Sequence, residues 1–285
     1  MILPLTSQKV FEMNRHPPFA ITQEAIATYQ RDGVVLLPGL LDGEWVARIQ
    51  AAVARVAQDP GQYGLLGPSN GAMLSVCYLW RKDPEFAAFV QESPIAEAVG
   101  QIIGAQWIRM YHDHLFVKPP LSPSIMPWHC DETAWPVTGE MAPNIWTALS
   151  PVNAENGRIE YIGGWHRHCI ENGLTFGFNA QQGAGLCPNF EAERDNPDFP
   201  FRFIAFDMEP GDAVIFHPHT PHFSKGNLSP TQQRAGLAVR LFGDDVRWRN
   251  APYKAPIPGI DVLPEGEAPN SDLLPLLWQR EAVLA

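Results

Sequence analysis

The sequence predicts a mainly β protein with flanking helices, its core an antiparallel barrel or double-sheet jelly roll. Three observations point there. Helical periodicity is concentrated in the first hundred or so residues, and from Trp107 onward it gives way to short apolar or alternating runs broken by Pro, Gly and Asn. The 285 residues are 45% hydrophobic and only 18% charged, which is the composition of a chain that buries a core.

Taken in order, residues 22–31 read as a helix with Thr22 as N-cap, closed by Asp32-Gly33 ahead of the short strand Val34 to Leu37. A second helix is expected after Asp42, where Trp45, Ile49, Val53 and Val56 recur at helical spacing, and a third over much of 85–103. Strands are then expected at 107–117, 125–131, 144–150, 158–162, 202–207, 213–217 and 234–242. Residues 171–200 are rich in Gly, Asn and Pro yet carry Phe176, Phe178, Phe190 and Phe199. They read as a long insertion, serving either as a lid or as a surface excursion that tucks its phenylalanines into the core. The proline-rich tail from Pro252 carries a possible terminal helix at 272–284. The whole is read as one domain over 1–285, with N-terminal helices at about 20–104, the core at about 105–250 and the tail at 251–285.

A net charge of -11 with no run of Lys or Arg argues against nucleic acid and anionic membranes as partners. The four cysteines, Cys77, Cys130, Cys169 and Cys187, form no CxxC pair, so reduced thiols in a cytoplasmic protein are expected. The N-terminal stretch carries Lys9, Glu12, Arg15 and His16 where a leader would need an apolar run, and no stretch of about 20 apolar residues occurs. A soluble, unexported protein acting on a small molecule is the expectation.

The chemistry-bearing signals start with Trp128-His129-Cys130-Asp131. In an extended segment His129 and Asp131 point to one face and Cys130 to the other. Far downstream, after the turn Glu209-Pro210-Gly211-Asp212, a second imidazole is offered by His217, His219 or His222. Two histidines and a carboxylate on one face of an octahedral ion leave three positions open, the arrangement of non-haem iron(II) oxygenases. In the strand Arg234 to Leu241, residues Arg234, Gly236, Ala238 and Arg240 share one face, so Arg234 lies among small neighbours that leave room for a ligand carboxylate. Arg240, about 20 Å further along by strand rise, reads as a charge near the barrel rim. His112, His114, His166 and His168 read as structural or substrate-facing.

With these residues in place, the chain resembles the phytanoyl-CoA dioxygenase superfamily of iron(II)- and 2-oxoglutarate-dependent oxygenases. The resemblance rests on LFVKPP, WHCDETAW, NIWTALSPVNAENGRIEYIGGWH and PGDAVIFHPHTPHFSKGN followed by Arg234, and runs from about residue 22 to Arg240. It implies a double-stranded β-helix, a cupin-like jelly roll. It also implies iron ligands His129, Asp131 and His222, and a 2-oxoglutarate site at Arg234 with Ser224 and Trp146 lining the same pocket. His217 then corresponds to a structural, hydrogen-bonded position. The implied activity consumes O2 and 2-oxoglutarate, releases succinate and CO2, and hydroxylates an unactivated C–H bond of a small organic metabolite. Desaturation or cyclisation by the same chemistry is an alternative, as are a non-oxidative zinc or manganese cupin-type enzyme and a non-catalytic binding module. Halogenation is disfavoured because Asp131 fills the position a halide would take. The aromatic insertion together with Trp80, Trp128 and Trp135 suggests an apolar or ring-bearing substrate.

Overall fold

The computed structural model describes residues 13–63, 72–174, 188–250, 258–260 and 263–281. Its N-terminal part alternates helix and strand: α1 (Gln23–Asp32), β1 (Val34–Leu37), α2 (Gly43–Gln58), β2 (Leu74–Cys77), α3 (Pro84–Glu92) and α4 (Ile95–Ile103). The Thr22 hydroxyl accepts from the Ala25 amide to start α1. Gly33 ends it at φ 70, and a Cβ there would collide with Thr220 and His166, so this turn requires glycine on both counts. The single helix expected over 85–103 is two. Pro94 forces Ser93 into an extended conformation, which stops α3 and redirects the chain into α4.

The remainder is strand-rich: β3 (Trp107–Lys118), β4 (Met126–His129), β5 (Val137–Thr138), β6 (Asn144–Ala148), β7 (Ile159–Gly163), α5 (Trp165–Asn172), α6 (Phe190–Glu193), β8 (Arg202–Ala205), β9 (Ala213–Phe216), β10 (His222–Ser224), β11 (Arg234–Phe242), β12 (Arg247–Trp248) and β13 (Leu276–Gln279). One sheet runs β1-β9-β6-β11-β3-β13, with β2 also on β3, and a second runs β4-β10-β7-β8. A two-stranded ribbon joins β5 to β12, and every pairing is antiparallel. This is the jelly roll that the sequence predicts.

Alternation along β11 shows how the layers form. Ala235, Leu237, Val239 and Leu241 enter the large core beneath the helices, where they meet Trp45, Ile49 and Phe89. Ala238 faces the other way, into a smaller core shared with Trp146, Val214 and Phe216 of the same sheet and Tyr161 of the opposing one. All nine residues of β11 are buried. In β3, Leu115 and Val117 join the helical core while His112, His114, Phe116 and Lys118 turn toward the interior between the sheets. The register between β11 and β3 shifts at Arg240/Leu241, where Tyr111 is the extra residue on β3. That bulge lets Met110 return to the helical core while Tyr111 stacks on Phe242 in a separate cluster.

The C-terminal segment departs from expectation. Instead of a helix over 272–284, Leu276–Gln279 forms β13 along the first residues of β3. The edge of β3 offers unpaired backbone groups there, and satisfying them outweighs local helix preference. Trp278 seals the join by lying against Gly100 of α4, where no side chain would fit. Of the phenylalanines in the 171–200 insertion, Phe190 and Phe199 pack with Ile162 and Trp165, as in the core-tucked reading. Phe176, Phe178 and Cys187 lie outside the described residues, as does the middle of the segment expected as a lid, 175–187. Among the described residues no helix is long and apolar enough to cross a membrane.

Candidate active site

His129 ends β4 and His222 begins β10, and the two residues sit directly opposite each other in the antiparallel ladder. Their rings come to 4.1 Å between centroids. Asp131 follows two residues after His129 and points back at both rings. Its Oδ1 lies 3.6 Å from His129 Nε2 and 4.0 Å from His222 Nε2. The ladder register shifts between His222 and Ser224, an irregularity at the spot where a side chain must be re-aimed. One donor atom from each of the three residues lies within 4.8 Å of the others, and all three side chains are buried.

The second ring nitrogens are already committed. His129 Nδ1 lies 2.8 Å from the Pro127 carbonyl and His222 Nδ1 lies 3.1 Å from the Thr220 carbonyl. A carbonyl can only accept, so each Nδ1 carries the hydrogen and each Nε2 presents a lone pair toward Asp131. Burial drives His222 down to about 3, with His129 adding to the effect, so its imidazole is neutral at physiological pH. Burial alone would raise the Asp131 carboxyl. The Arg240 guanidinium, the largest opposing influence, and the two neighbouring histidines outweigh it and hold the group well below the ordinary carboxylate range. Two imidazoles and a carboxylate, each tied by an outer partner, suit a divalent transition metal. Asn144 completes the set by donating to Asp131 Oδ2 at 3.0 Å, which leaves Oδ1 toward the histidines.

The competing histidines go elsewhere. His217 is buried against His166 and Tyr29, and its Nδ1 accepts from the His219 amide. His219 lies 3.7 Å from a Glu132 carboxylate oxygen. Neither is part of the three-residue cluster.

The three residues open onto a cavity of about 280 Å³ between the sheets. Arg234, Ser224 and Trp146 all line it. Arg234 is buried, stacks 5.0 Å above the Trp146 ring and donates from Nε to the Gly157 carbonyl at 3.3 Å. The stack depends on Gly236, because a Cβ at that position would fall 1.7 Å from a Trp146 ring carbon. Gly236→Ala is therefore expected to displace Trp146, cost about 1–3 kcal/mol in thermal unfolding and weaken any ligand bound at Arg234. A variant as stable as the parent with unchanged ligand affinity would contradict this.

Lys118 is a functional candidate outside the expected site residues, although parity along β3 places it on the face of His112 and His114. It is buried opposite Arg234 in the β3–β11 ladder, and its Nζ donates to Ser224 Oγ at 2.7 Å and to the Lys225 carbonyl at 2.6 Å. Burial pushes its ammonium down to about 7, with Arg234 contributing. Arg240 needs correction: it is not a rim charge but is buried, lines the cavity and brings Nε to 3.7 Å from Asp131 Oδ2. A strand covered on both faces carries even its end residues inside. Of Trp80, Trp128 and Trp135, the last lines the cavity. Trp80 packs against the helical core and Trp128 against Phe190 and Phe223.

The chain is similar to known proteins along most of its length. The sequence profile of the phytanoyl-CoA dioxygenase family (PhyH) matches residues 29–235. The chain is 28% identical over 228 residues to an ectoine dioxygenase from Bordetella parapertussis, covering 74% of this chain and 72% of that protein. It is 25% identical over 252 residues to the multifunctional dioxygenase prhA of Penicillium brasilianum, covering 82% and 77%. Among solved structures, the non-heme alpha ketoglutarate dependent carbocyclase SnoK from nogalamycin biosynthesis superposes with a TM-score of 0.72 at 24% identity, over 90% of this chain and 97% of that one, a likeness of fold.

Proposed function

This chain belongs to the phytanoyl-CoA dioxygenase family, and from that premise we propose an iron(II)- and 2-oxoglutarate-dependent dioxygenase in which His129, Asp131 and His222 hold the metal and Arg234 with Lys118 holds the far carboxylate of 2-oxoglutarate. The substrate is a small organic molecule. The observation that carries the reading is the coexistence, in one cavity, of a two-histidine, one-carboxylate cluster and a separate buried guanidinium and lysine pair. A non-oxidative metal enzyme needs the first feature and has no use for the second.

Iron with 2-oxoglutarate supplies the oxidation of a C–H bond by O2, coupled to decarboxylation of the cosubstrate to succinate. The protein supplies geometry. Two carbonyls fix the histidine tautomers, Asn144 fixes the carboxylate, and the Arg234 fork on Trp146 fixes the cosubstrate's far end. Ser224, whose hydroxyl meets Lys118, adds a polar contact at that end.

Anaerobic reconstitution with iron(II) tests the reading. One iron per chain is expected, together with succinate release that requires iron, 2-oxoglutarate and O2. Loaded protein that neither binds nor turns over 2-oxoglutarate would refute the assignment. With a substrate in hand, a product that gains one oxygen separates hydroxylation from desaturation or ring closure, both of which remove two hydrogens.

Lys118 gives a pH signature. Its amine is half protonated near pH 7 in the free protein, and the bound carboxylate favours the charged form. Below that pH the charge is already present. Above it, 2-oxoglutarate must bring a proton along, so affinity falls with rising pH. The dissociation constant should rise on the order of tenfold for each pH unit above 7 until the amine in the complex itself titrates. Lys118→Met should bind 2-oxoglutarate more weakly with a flat profile, as calorimetry from pH 6 to about 9 would read. A wild-type constant that does not change with pH would rule out this role.

A further inference from the structure

Arg240 is at the opposite end of β11 from Arg234, on the same face and beside the metal cluster. It is 7% exposed, and its Nε and Nη1 are fully buried without a hydrogen-bond partner among the described residues. Asp131 does not satisfy them: the closest approach is 3.7 Å, and that carboxylate oxygen already accepts from Asn144. Next to Arg240 in the ladder, His112 is equally buried and its Nδ1 also lacks a partner. A buried guanidinium with unmade hydrogen bonds is costly, and proteins keep one where a ligand completes it.

The charges point to the ligand's sign. A divalent ion, one carboxylate ligand, a dianionic cosubstrate and Arg234 together sum to neutrality. Arg240 then leaves one positive charge uncompensated among buried groups, and a charged Lys118 would increase the excess. Cys77, His112 and His114 also bring three donor atoms within 4.8 Å of one another on this wall, which raises the alternative of a second metal. The adjacent guanidinium repels a cation. His114 Nε2 is already 2.7 Å from the Ser75 hydroxyl, and burial pushes the Cys77 thiol up to about 12, far from the thiolate a soft metal requires. The wall is built for an anion.

Building on the oxygenase reading, we infer that Arg240, with His112 as a second donor, is the substrate-recognition site, and that the substrate is a compact carboxylic acid whose apolar frame lies against Trp135, Tyr78 and Met126. All three line the cavity, with the Tyr78 ring 5.4 Å from that of His112. A guanidinium fork matches a carboxylate in geometry as well as charge. Anchoring the acid here sets the carbon frame over the metal cluster.

The test uses the full chain loaded with manganese(II) and saturating 2-oxoglutarate without O2, so that no turnover occurs and the Arg234 pocket is filled. Calorimetry then compares benzoate with benzamide and cyclohexanecarboxylate with cyclohexanecarboxamide. Each acid is expected to bind at least about tenfold more tightly than its amide, a difference of about 1.4 kcal/mol. Arg240→Gln should reduce that ratio to within about twofold and Arg240→Lys should keep part of it, whereas His112→Phe should weaken the acids about fivefold. Equal affinity for acid and amide in the wild-type protein would overturn the inference without relying on any variant folding. So would a preference that survives in Arg240→Gln, or the absence of saturable acid binding. Titrating 2-oxoglutarate beforehand separates the two levels: failure there removes the oxygenase reading and this inference with it, whereas normal 2-oxoglutarate binding without acid preference removes only the inference.

Discussion

His222→Ala is expected to lose stoichiometric iron and to lower 2-oxoglutarate-dependent turnover by on the order of a thousandfold or more, since outer partners of metal ligands alone are worth 10–100-fold. Its fold should persist. In the metal-free protein three buried ligands crowd a single point, so deleting one imidazole relieves as much as it costs. His217→Ala, five positions earlier, is expected to behave in the opposite way. That ring fills space between His166 and Tyr29, and its loss should cost about 1–3 kcal/mol of stability while iron binding stays at one per chain. Metal analysis and thermal unfolding on the two variants therefore distinguish a ligand from a packed histidine. Iron retained by His222→Ala at wild-type affinity would exclude it from the coordination set.

The second large effect is expected at Arg234. Arg234→Met keeps the stem packed on Trp146 but removes the fork, leaving the far carboxylate of 2-oxoglutarate with Lys118 alone. Truncating one partner of a buried charge pair costs about 2–4 kcal/mol, so KM for 2-oxoglutarate should rise roughly 30- to 1,000-fold. Iron binding should be unaffected, because Arg234 is not among the groups around Asp131. Arg234→Lys should recover only part of the loss, since an ammonium cannot bind both oxygens in parallel. Steady-state kinetics against 2-oxoglutarate reads the effect, and a KM within threefold of wild type would place the cosubstrate elsewhere.

Most of the architecture was legible in the sequence because its signals are local. Alternation fixed which face of β11 meets the helices, and the two-residue spacing of His129 and Asp131 put them on one side. What was illegible is non-local. Nothing within residues 272–284 announces that an exposed edge of β3 awaits a partner, so a strand was read as a helix. Arg240 was placed at the rim because an arginine near a strand end is ordinarily solvated. Only the coverage of β11 on both faces puts it inside. Lys118 carries a signal that is local: parity along β3 groups it with His112 and His114.

β11 presents its two cations at fixed positions on one continuous backbone, with Asp131 facing the second of them. The spacing of their Cα atoms is therefore dictated by the rise of the strand, and no exchange of side chains elsewhere can stretch or shorten it. On this reading the far carboxylate of 2-oxoglutarate and the acid of the substrate are both seated against a gauge cut into the main chain. Widening the diet of such an enzyme calls for reshaping the apolar wall at Trp135 and Tyr78, which can recede without touching the gauge.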